Sequence, residues 1–369
     1  MKKVVIFIGN FSFGGAEVVG VNLANSYADM GMEVTVFCLK EHGGMRQRLS
    51  PKVYVESLNT RLAFCILGLR RFILSLDENT LFVSTIRNLN IAVSLATIRS
   101  LPLCVFIYRE ANTYRNFLKK GLKGVVTWLL YCLMINWAYR RAKVVIANSN
   151  DTRTDLKNLC TPALVKKAIV IGNPISIKSN PLADRNSKTP LFTNNPSCPV
   201  ILSVGRLHAQ KDYFLGLRVF RMLIEKLPDV IYVILGEGAL LQDLKDFAVS
   251  LGLTEGVNVF FVGTVPNPEY YYVRSDLFFM TSLWEGFGNV IVEAMGYGLT
   301  PVVCECPGGP RDIIGSEYGY YIGSRNAGTI ALSLETALKR KISKARLAKR
   351  ASHFASDYIA EKYLAAVSR

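Results

Sequence analysis

Short apolar runs with no polar alternation recur along this chain, and most are followed by a glycine-containing loop and then a stretch of helical length. A strand that is apolar at every position must be covered on both faces, as in a parallel sheet flanked by helices. The first run is Lys3–Ile8, followed by a loop over Gly9–Gly15 and a helical pattern over Ala16–Met30. Glu33–Leu39, Leu81–Ser84, Leu103–Tyr108 and Val144–Asn148 continue the series. Residues 172–198 break it, being rich in Pro, Asn and Ser without sustained periodicity, and read as a linker. The rhythm resumes at Val200–Val204, with further strands expected at Val230–Leu235, Val257–Phe261, Leu277–Met280 and Pro301–Cys304. The expectation is an α/β chain of two doubly wound, Rossmann-like domains with a cleft between them. An N-terminal domain over 1–172, a linker over 173–198, a second domain over 199–350 and a C-terminal helix over 351–369, able to pack back on the first domain, divide the sequence.

The 369 residues suffice for two sizeable cores, and a half-hydrophobic, one-fifth-charged composition excludes a disordered or fibrous chain. Charge is distributed unevenly. Residues 1–190 hold 26 Lys/Arg against 11 Asp/Glu, whereas residues 191–369 hold 18 against 17. The first half therefore faces something anionic: nucleic acid, an acidic membrane surface or a phosphorylated substrate. None of the eight cysteines forms a C-x-x-C pair and most lie in apolar runs, which suits reduced core thiols in a cytoplasmic protein. Three unclustered histidines offer no metal site. The apolar run after Lys2 and Lys3 stops at Gly9, too soon for a signal-peptide core, and reads as a first strand. Val125–Tyr139 is the most apolar stretch. As a helix it spans about 22 Å, short of the roughly 30 Å hydrocarbon layer, so no membrane crossing is expected.

Three glycine loops follow expected strands: GNFSFGGAE after the first, GRLHAQK after Val204, and GEG after Leu235. Such loops bring backbone N–H groups and a helix N-terminus to a phosphate, though each alone is also a common turn. Arg206 and Lys211, five residues apart, can converge on one diphosphate or stand as solvated surface charges. In SLWEGFGNVIVEAMGYGLTPVV, Gly286 and Gly288 separate Glu285 from a helix starting near Asn289, with Glu293 about a turn inside. Carboxylates accept sugar hydroxyls, and helix N-termini suit phosphate, so both glutamates can reach one ligand over that N-terminus.

The pattern E-G-F-G-x-x-x-x-E-A-M followed by G-x-x-P-V-V closely resembles the retaining glycosyltransferases of family 4, which have the GT-B fold. GGAE at Gly14–Glu17, SVGRLHAQKD at Ser203–Asp212, VILGEGALLQDL and VFFVGTVPNPE extend the resemblance over most of residues 1–320. It implies that Arg206 and Lys211 stabilise the leaving nucleotide diphosphate, that Glu285 contacts the donor sugar and that Glu293 contacts the ribose. It further implies donor-binding roles for Gly14, Gly15, Gly236, Glu237, Gly286, Phe287, Gly288 and Asn289. No D-x-D occurs, which fits leaving-group stabilisation without a metal and no cofactor beyond the nucleotide-sugar co-substrate. Many members carry a first-domain histidine near the transferred sugar; the matching stretch here, FIYREANTYRN, has none, and Arg109 and Glu110 occupy that neighbourhood. His208, inside the Arg206–Lys211 loop, reads as structural or solvated. CPGGPRDII at Cys306–Ile314 resembles members that use UDP-linked sugars, often N-acetylhexosamines, in bacterial surface-glycan assembly such as O-antigen, capsule or lipopolysaccharide.

Lys119, Lys120 and Lys123 precede the apolar stretch and Arg140, Arg141 and Lys143 follow it, with Trp128, Tyr131, Trp137 and Tyr139 within it. A helix so built rests either in a membrane interface or against the first domain's sheet, and FCILGLRRFILSL upstream adds a second one. The expected partners are a nucleotide sugar, a polyprenyl-diphosphate-linked acceptor and an anionic membrane surface on the cytoplasmic side, with no nucleic acid. A sugar-nucleotide epimerase of the same fold and a basic nucleic-acid-binding protein are the competing readings; no nucleic-acid-binding module is visible.

Overall fold

The structure, a computed structural model, describes residues 1–111, 122–177, 198–265 and 267–368, the side chains of residues 122–126 excepted. Lys119, Lys120, the side chain of Lys123 and linker residues 178–197 thus lie outside the described residues. The chain divides into two compact units: Met1–Ser176 with Phe354–Arg369, and Ile177–His353.

Seven strands form the first unit's sheet: β1 (Lys3–Ile8), β2 (Glu33–Cys38), β3 (Tyr54–Ser57), β4 (Thr80–Ser84), β5 (Val105–Glu110), β6 (Val144–Ala147) and β7 (Ala168–Val170). Their order is β3-β2-β1-β4-β5-β6-β7, with every pair parallel. The continuous apolar runs are explained by burial on both faces. Val4, Ile6 and Ile8 point into a core shared with α1 (Gly15–Asp29) and the C-terminal helix (Ser356–Val367). Val5 and Phe7 point into the opposite core, shared with α2 (Ile66–Leu74), α3 (Arg87–Ala96) and α4 (Leu122–Tyr139). Helices α5 (Asn150–Leu159) and α6 (Pro162–Lys166) complete that second layer, through Leu156 and Leu164.

The second unit's sheet holds β8 (Val200–Val204), β9 (Ile231–Leu235), β10 (Val259–Gly263), β11 (Leu277–Met280), β12 (Thr300–Cys304) and β13 (Tyr320–Ile322). It is also all parallel, ordered β10-β9-β8-β11-β12-β13. Its helices are α7 (Tyr213–Ile224), α8 (Leu241–Ser250), α9 (Glu269–Arg274), α10 (Asn289–Gly296), α11 (Pro310–Ile314), α12 (Ala327–Lys339) and α13 (Lys344–Ser352), and the C-terminal helix of the first unit follows as α14. In each sheet the strand order reverses once, between β1 and β4 and between β8 and β11. Loops leaving the strands on either side of such a point run apart, opening a crevice at the carboxyl edge. Strands β8 and β11 stay in register only at Ile201–Leu277 and Leu202–Phe278, and beyond these the Ser203 hydroxyl donates to the Phe279 carbonyl at 2.6 Å.

Three edge strands escape the apolar-run reading: β3 alternates exposed and half-buried positions, and β7 and β13 have three residues each, too few for a pattern. Strand β10 begins at Val259, not Val257, because Thr254 and Asn258 close a turn in which the Asn258 Oδ1 accepts from the Thr254 N–H at 2.9 Å. Residues 173–176 belong to the first unit despite their linker-like composition, as the Ile175 N–H donates to the Phe354 carbonyl at 2.8 Å. Among the described residues no helix is long and apolar enough to cross a membrane.

Candidate active site

The loops that leave β8 and β11 carry the sharpest chemistry of the second unit. Lys211 Nζ lies 2.5 Å from Glu285 Oε1, and both side chains are largely buried. The Ser282 hydroxyl donates to the same carboxylate oxygen at 2.7 Å. An ion pair withdrawn from water is weakly screened, so its geometry has to be held from outside. The holding is done by bonds between the two loops. The Leu283 N–H donates to the Gln210 carbonyl and the Gln210 amide donates to the Trp284 carbonyl, each at 2.8 Å. The Thr281 hydroxyl bonds the Lys211 and Asp212 carbonyls at 2.9 Å. Asp212 sits in the left-handed region (φ +47°), caps α7 through Oδ1 at 3.3 Å, and takes a bond from Arg325 on Oδ2 at 2.5 Å. Arg325 also donates to the Thr281 and Ser282 carbonyls at 2.7 and 3.3 Å. One guanidinium thus clamps both loops. Arg325 is a residue that sequence reading misses: it lies 113 positions from Asp212, and no local motif marks it.

Two glycines are required by close approach. Gly236 has φ +136°, and a Cβ there would stand 2.1 Å from the Gly205 carbonyl oxygen. Gly308 has φ +121°, and a Cβ would stand 2.0 Å from the Glu285 carbonyl oxygen. The loops after β8 and β9, and those after β11 and β12, therefore touch backbone to backbone beside the ion pair. Gly288 (φ +95°) turns the chain into α10, which Asn289 begins, after half-buried Gly286. Phe287 is buried, with its ring against Gly309, so its ring is part of the packing beneath the loop. Glu293, within α10, accepts from the Tyr272 hydroxyl at 2.9 Å, and Tyr272 stacks on Tyr297 at 5.5 Å. Glu285 and Glu293 thus have different neighbours: Lys211 and Ser282 for one, Tyr272 for the other. Arg206 is exposed, with no hydrogen bond or ion pair from its side chain among the described residues. Glu237 is exposed and accepts from the Thr264 N–H at 3.3 Å. His208 Nδ1 accepts from the Gln210 N–H at 3.2 Å, a local turn contact.

In the first unit, Gly14 is the N-cap of α1 and Gly15 its first residue. The Glu17 carboxylate folds over Gly14, its Oε2 standing 2.2 Å from where a Gly14 Cβ would be. Arg109 and Glu110, adjacent at the end of β5, point to opposite faces of the sheet, as strand alternation requires. Both are buried, and they do not converge on a common acceptor position. The Arg109 guanidinium donates to the Thr85 carbonyl at 3.2 Å and to the Asn173 side-chain oxygen. Glu110 is gripped on both carboxylate oxygens by Arg87, the first residue of α3, with Nε at 3.0 Å. Arg87 also donates to the Tyr131 hydroxyl at 3.1 Å. Burial pushes the Glu110 carboxyl up, and the Arg87 charge pulls against it. Arg87 goes unnoticed in the sequence because nothing in the surrounding TIRNLN announces a buried pair with a residue 23 positions away. Among the described residues no three His, Cys, Asp or Glu side chains converge as a metal site requires.

A lysine and a carboxylate set at the reversal point of a parallel sheet, with an exposed arginine in the same loop, can meet an anionic ligand that also offers hydroxyls. Comparison with known proteins supplies the family. Residues 13–179 match Glycosyltransferase Family 4, and residues 188–354 match Glycosyl transferases group 1. An uncharacterized glycosyltransferase of Methanocaldococcus jannaschii is 28% identical over 57% of this chain, a match spanning half of that protein's own length. An uncharacterized glycosyltransferase of Haemophilus influenzae is 24% identical over 99% of this chain and 98% of its own. The N-acetylgalactosamine-N,N'-diacetylbacillosaminyl-diphospho-undecaprenol 4-alpha-N-acetylgalactosaminyltransferase of Campylobacter jejuni is 29% identical over 67% of this chain and 66% of its own. The crystal structure of Anabaena Alr3699/HepE in complex with UDP and glucose covers all of both chains with a TM-score of 0.75 at 18% identity, a likeness of fold. With both halves matched and both sheets doubly wound, the chain belongs to the family 4 type of glycosyltransferases and has the GT-B fold.

Proposed function

We propose that this protein transfers a hexose or N-acetylhexosamine from a UDP-sugar to a lipid-linked saccharide, with retention at the anomeric carbon, in bacterial polysaccharide assembly. The observation that carries the proposal is the buried Lys211–Glu285 pair at the reversal point of the second sheet. A donor diphosphate entering there takes charge from Lys211 and Arg206, while Glu285 accepts from a sugar hydroxyl and Glu293 from the ribose. The acceptor hydroxyl attacks the anomeric carbon on the face from which the diphosphate departs; the C–O bond to the diphosphate breaks, and the hydroxyl proton passes to the departing oxygen. Cationic stabilisation of the departing charge is the largest expected contribution, and it requires no metal ion. In this reading the second unit binds the nucleotide sugar and the basic first unit binds the acceptor. Two relatives whose names specify undecaprenyl-diphosphate-linked acceptors, from Campylobacter jejuni and Escherichia coli, support a lipid-borne acceptor on the cytoplasmic leaflet.

The test is a panel of UDP-, GDP- and dTDP-sugars incubated with polyprenyl-diphosphate-linked saccharides, with product stereochemistry read by NMR. Transfer from one UDP-sugar with an α-linked product, unchanged by EDTA, is expected. Transfer from a different nucleotide class, inversion, or loss of activity in EDTA would each overturn the corresponding part.

A further inference from the structure

We propose that Arg325, in the loop after β13, is the positioning residue that holds Lys211 and Glu285 in place for the donor. The inference rests on the transferase reading only for what the pair meets; the holding itself is argued from the second unit alone. Arg325 makes no bond to either side chain of the pair among the described residues. It acts through the backbone beside each.

On the lysine side, the stem of Lys211 lies along Gly205, where a Cβ would stand 2.9 Å from Lys211 Cε. The Tyr213 hydroxyl, which donates to the Gly205 carbonyl at 3.1 Å, fixes that backbone in turn. The direction in which Lys211 leaves the chain is set by its neighbour. Asp212 has left-handed backbone (φ +47°, ψ +50°), one of two such non-glycine residues among those described. That conformation is strained for an L-residue and persists only where its surroundings impose it. Here both carboxylate oxygens are held, Oδ1 by the Leu215 N–H and Oδ2 by Arg325. Removing Arg325 frees one of the two and lets Asp212 relax, and Lys211 turns with it.

On the glutamate side, Arg325 donates to two successive carbonyls, those of Thr281 and Ser282. Successive carbonyls of a strand point opposite ways, so one guanidinium that takes both fixes the turn by which the chain leaves β11. Ser282 is the residue whose hydroxyl donates to Glu285 Oε1, so this turn places the glutamate. Thr281 and Ser282 are buried, and their carbonyls would be costly to leave without partners. A planar fork of N–H donors can serve two carbonyls and a carboxylate at once, which an ammonium cannot. The bonds at Gln210, Leu283 and Trp284 tie the far side of the two loops and involve neither Asp212 nor Ser282. Every acceptor of Arg325 is thus one residue or one hydrogen bond from Lys211 or Glu285. β13, which carries Arg325, lies two strands from β11 in the sheet, so a third loop closes the site.

The experiment uses the full chain and two readouts, one of them free of ligand. Lys211 is acylated with acetic anhydride, and its labelled peptide is quantified by mass spectrometry. The paired, largely buried amine of the wild type should label slowly. In Arg325→Ala it should label at least about tenfold faster through local opening, with exposed Lys226 unchanged as the control. UDP affinity, read by calorimetry, should fall about tenfold in Arg325→Ala, as loss of one charge-assisted contact does. In a Lys211→Met, Glu285→Gln background the same substitution should cost no further affinity, because residues acting through one another are not additive. A merely structural role would cost the same in both backgrounds. Arg325→Lys should fall between, keeping the Asp212 pair but not the fork on two carbonyls. The Arg325 side chain is 35% exposed, which leaves a small cation a way in. Guanidinium chloride at a non-denaturing concentration should therefore restore slow labelling and UDP affinity to Arg325→Ala, where potassium chloride of equal ionic strength does not. Unchanged Lys211 labelling in Arg325→Ala, an equal loss of UDP affinity in both backgrounds, or no response to guanidinium would overturn the proposal. A wild type that binds no UDP sinks the transferase reading instead, and the labelling still decides whether Arg325 holds the pair.

Discussion

The two cations of the β8 loop differ in what surrounds them, and their removal should differ accordingly. Arg206 is exposed, so Arg206→Ala should cost about 10²–10³ in turnover, as loss of a charge-stabilising donor does, while leaving the melting temperature unchanged. Lys211→Ala should cost similar activity and also strand the buried Glu285 carboxylate, destabilising the fold by about 3–5 kcal/mol. Pairing Lys211→Met with Glu285→Gln should restore much of the stability and none of the activity. Turnover and thermal denaturation on the four proteins check this, and equal melting of Lys211→Ala and wild type would remove the pair from the site's architecture. Glu110 offers a test with a pH sign. Its folded pKa is raised by burial, so the folded state holds a proton more tightly than the unfolded one. Without Arg87 that bias grows. Arg87→Ala should therefore be strongly destabilised at neutral pH and recover relative to wild type as pH falls toward the ordinary carboxylate range, a trend read by denaturant titration at several pH values.

At the scale of elements, the site is assembled from loops, each anchored to a different strand. The glycines decide how closely those loops approach. Gly308→Ala places a Cβ on the Glu285 carbonyl in a left-handed backbone, so it should lose about 1–3 kcal/mol and displace Glu285, lowering turnover as well. Gly15→Ala meets nothing within 4 Å and opens α1, so stability should hold; an activity loss there would report close approach of a ligand to the α1 N-terminus. Calorimetry beside an activity assay separates the two cases. The EGFGN segment and the GRLHAQKD loop were legible as motifs because they occur together, in order, in the pattern that resembles family 4, although each loop alone is also a common turn. Their coupling through Arg325 was not, since a clamp between residues 212 and 325 leaves no local period. Tyr272 was equally silent, lying in a run of three tyrosines of which only the tertiary contact singles out the one that bonds Glu293.

For the whole molecule, the C-terminal residues fold with the first unit although they follow the second in sequence. Ile359, Ala360 and Tyr363 of α14 are buried against α1 and β1, and the Tyr27 hydroxyl donates to the Ala360 carbonyl at 3.2 Å. Each large buried side chain removed costs about 2–5 kcal/mol, and a domain is stable by only about 5–15 kcal/mol. Truncation after His353 should therefore melt the first unit well below the second, giving two separated calorimetric transitions. A truncated chain that melts as wild type would mean that α14 contributes little to the first core.

What the sequence determined by itself was the repeating unit: apolar runs buried on both faces force parallel strands, and parallel strands force crossover helices, so two doubly wound sheets follow from local pattern alone. It also singled out the glycine loops at strand ends, the place where ligands of such sheets bind. Only the tertiary structure decided which charges meet. Lys211 and Glu285 are 74 residues apart, and Arg87 and Glu110 are 23 apart. Strand order, which no periodicity encodes, brings each pair together. The same strand alternation separates Arg109 from Glu110, adjacent in sequence, onto opposite faces of one sheet, because successive side chains of a strand cannot share a face.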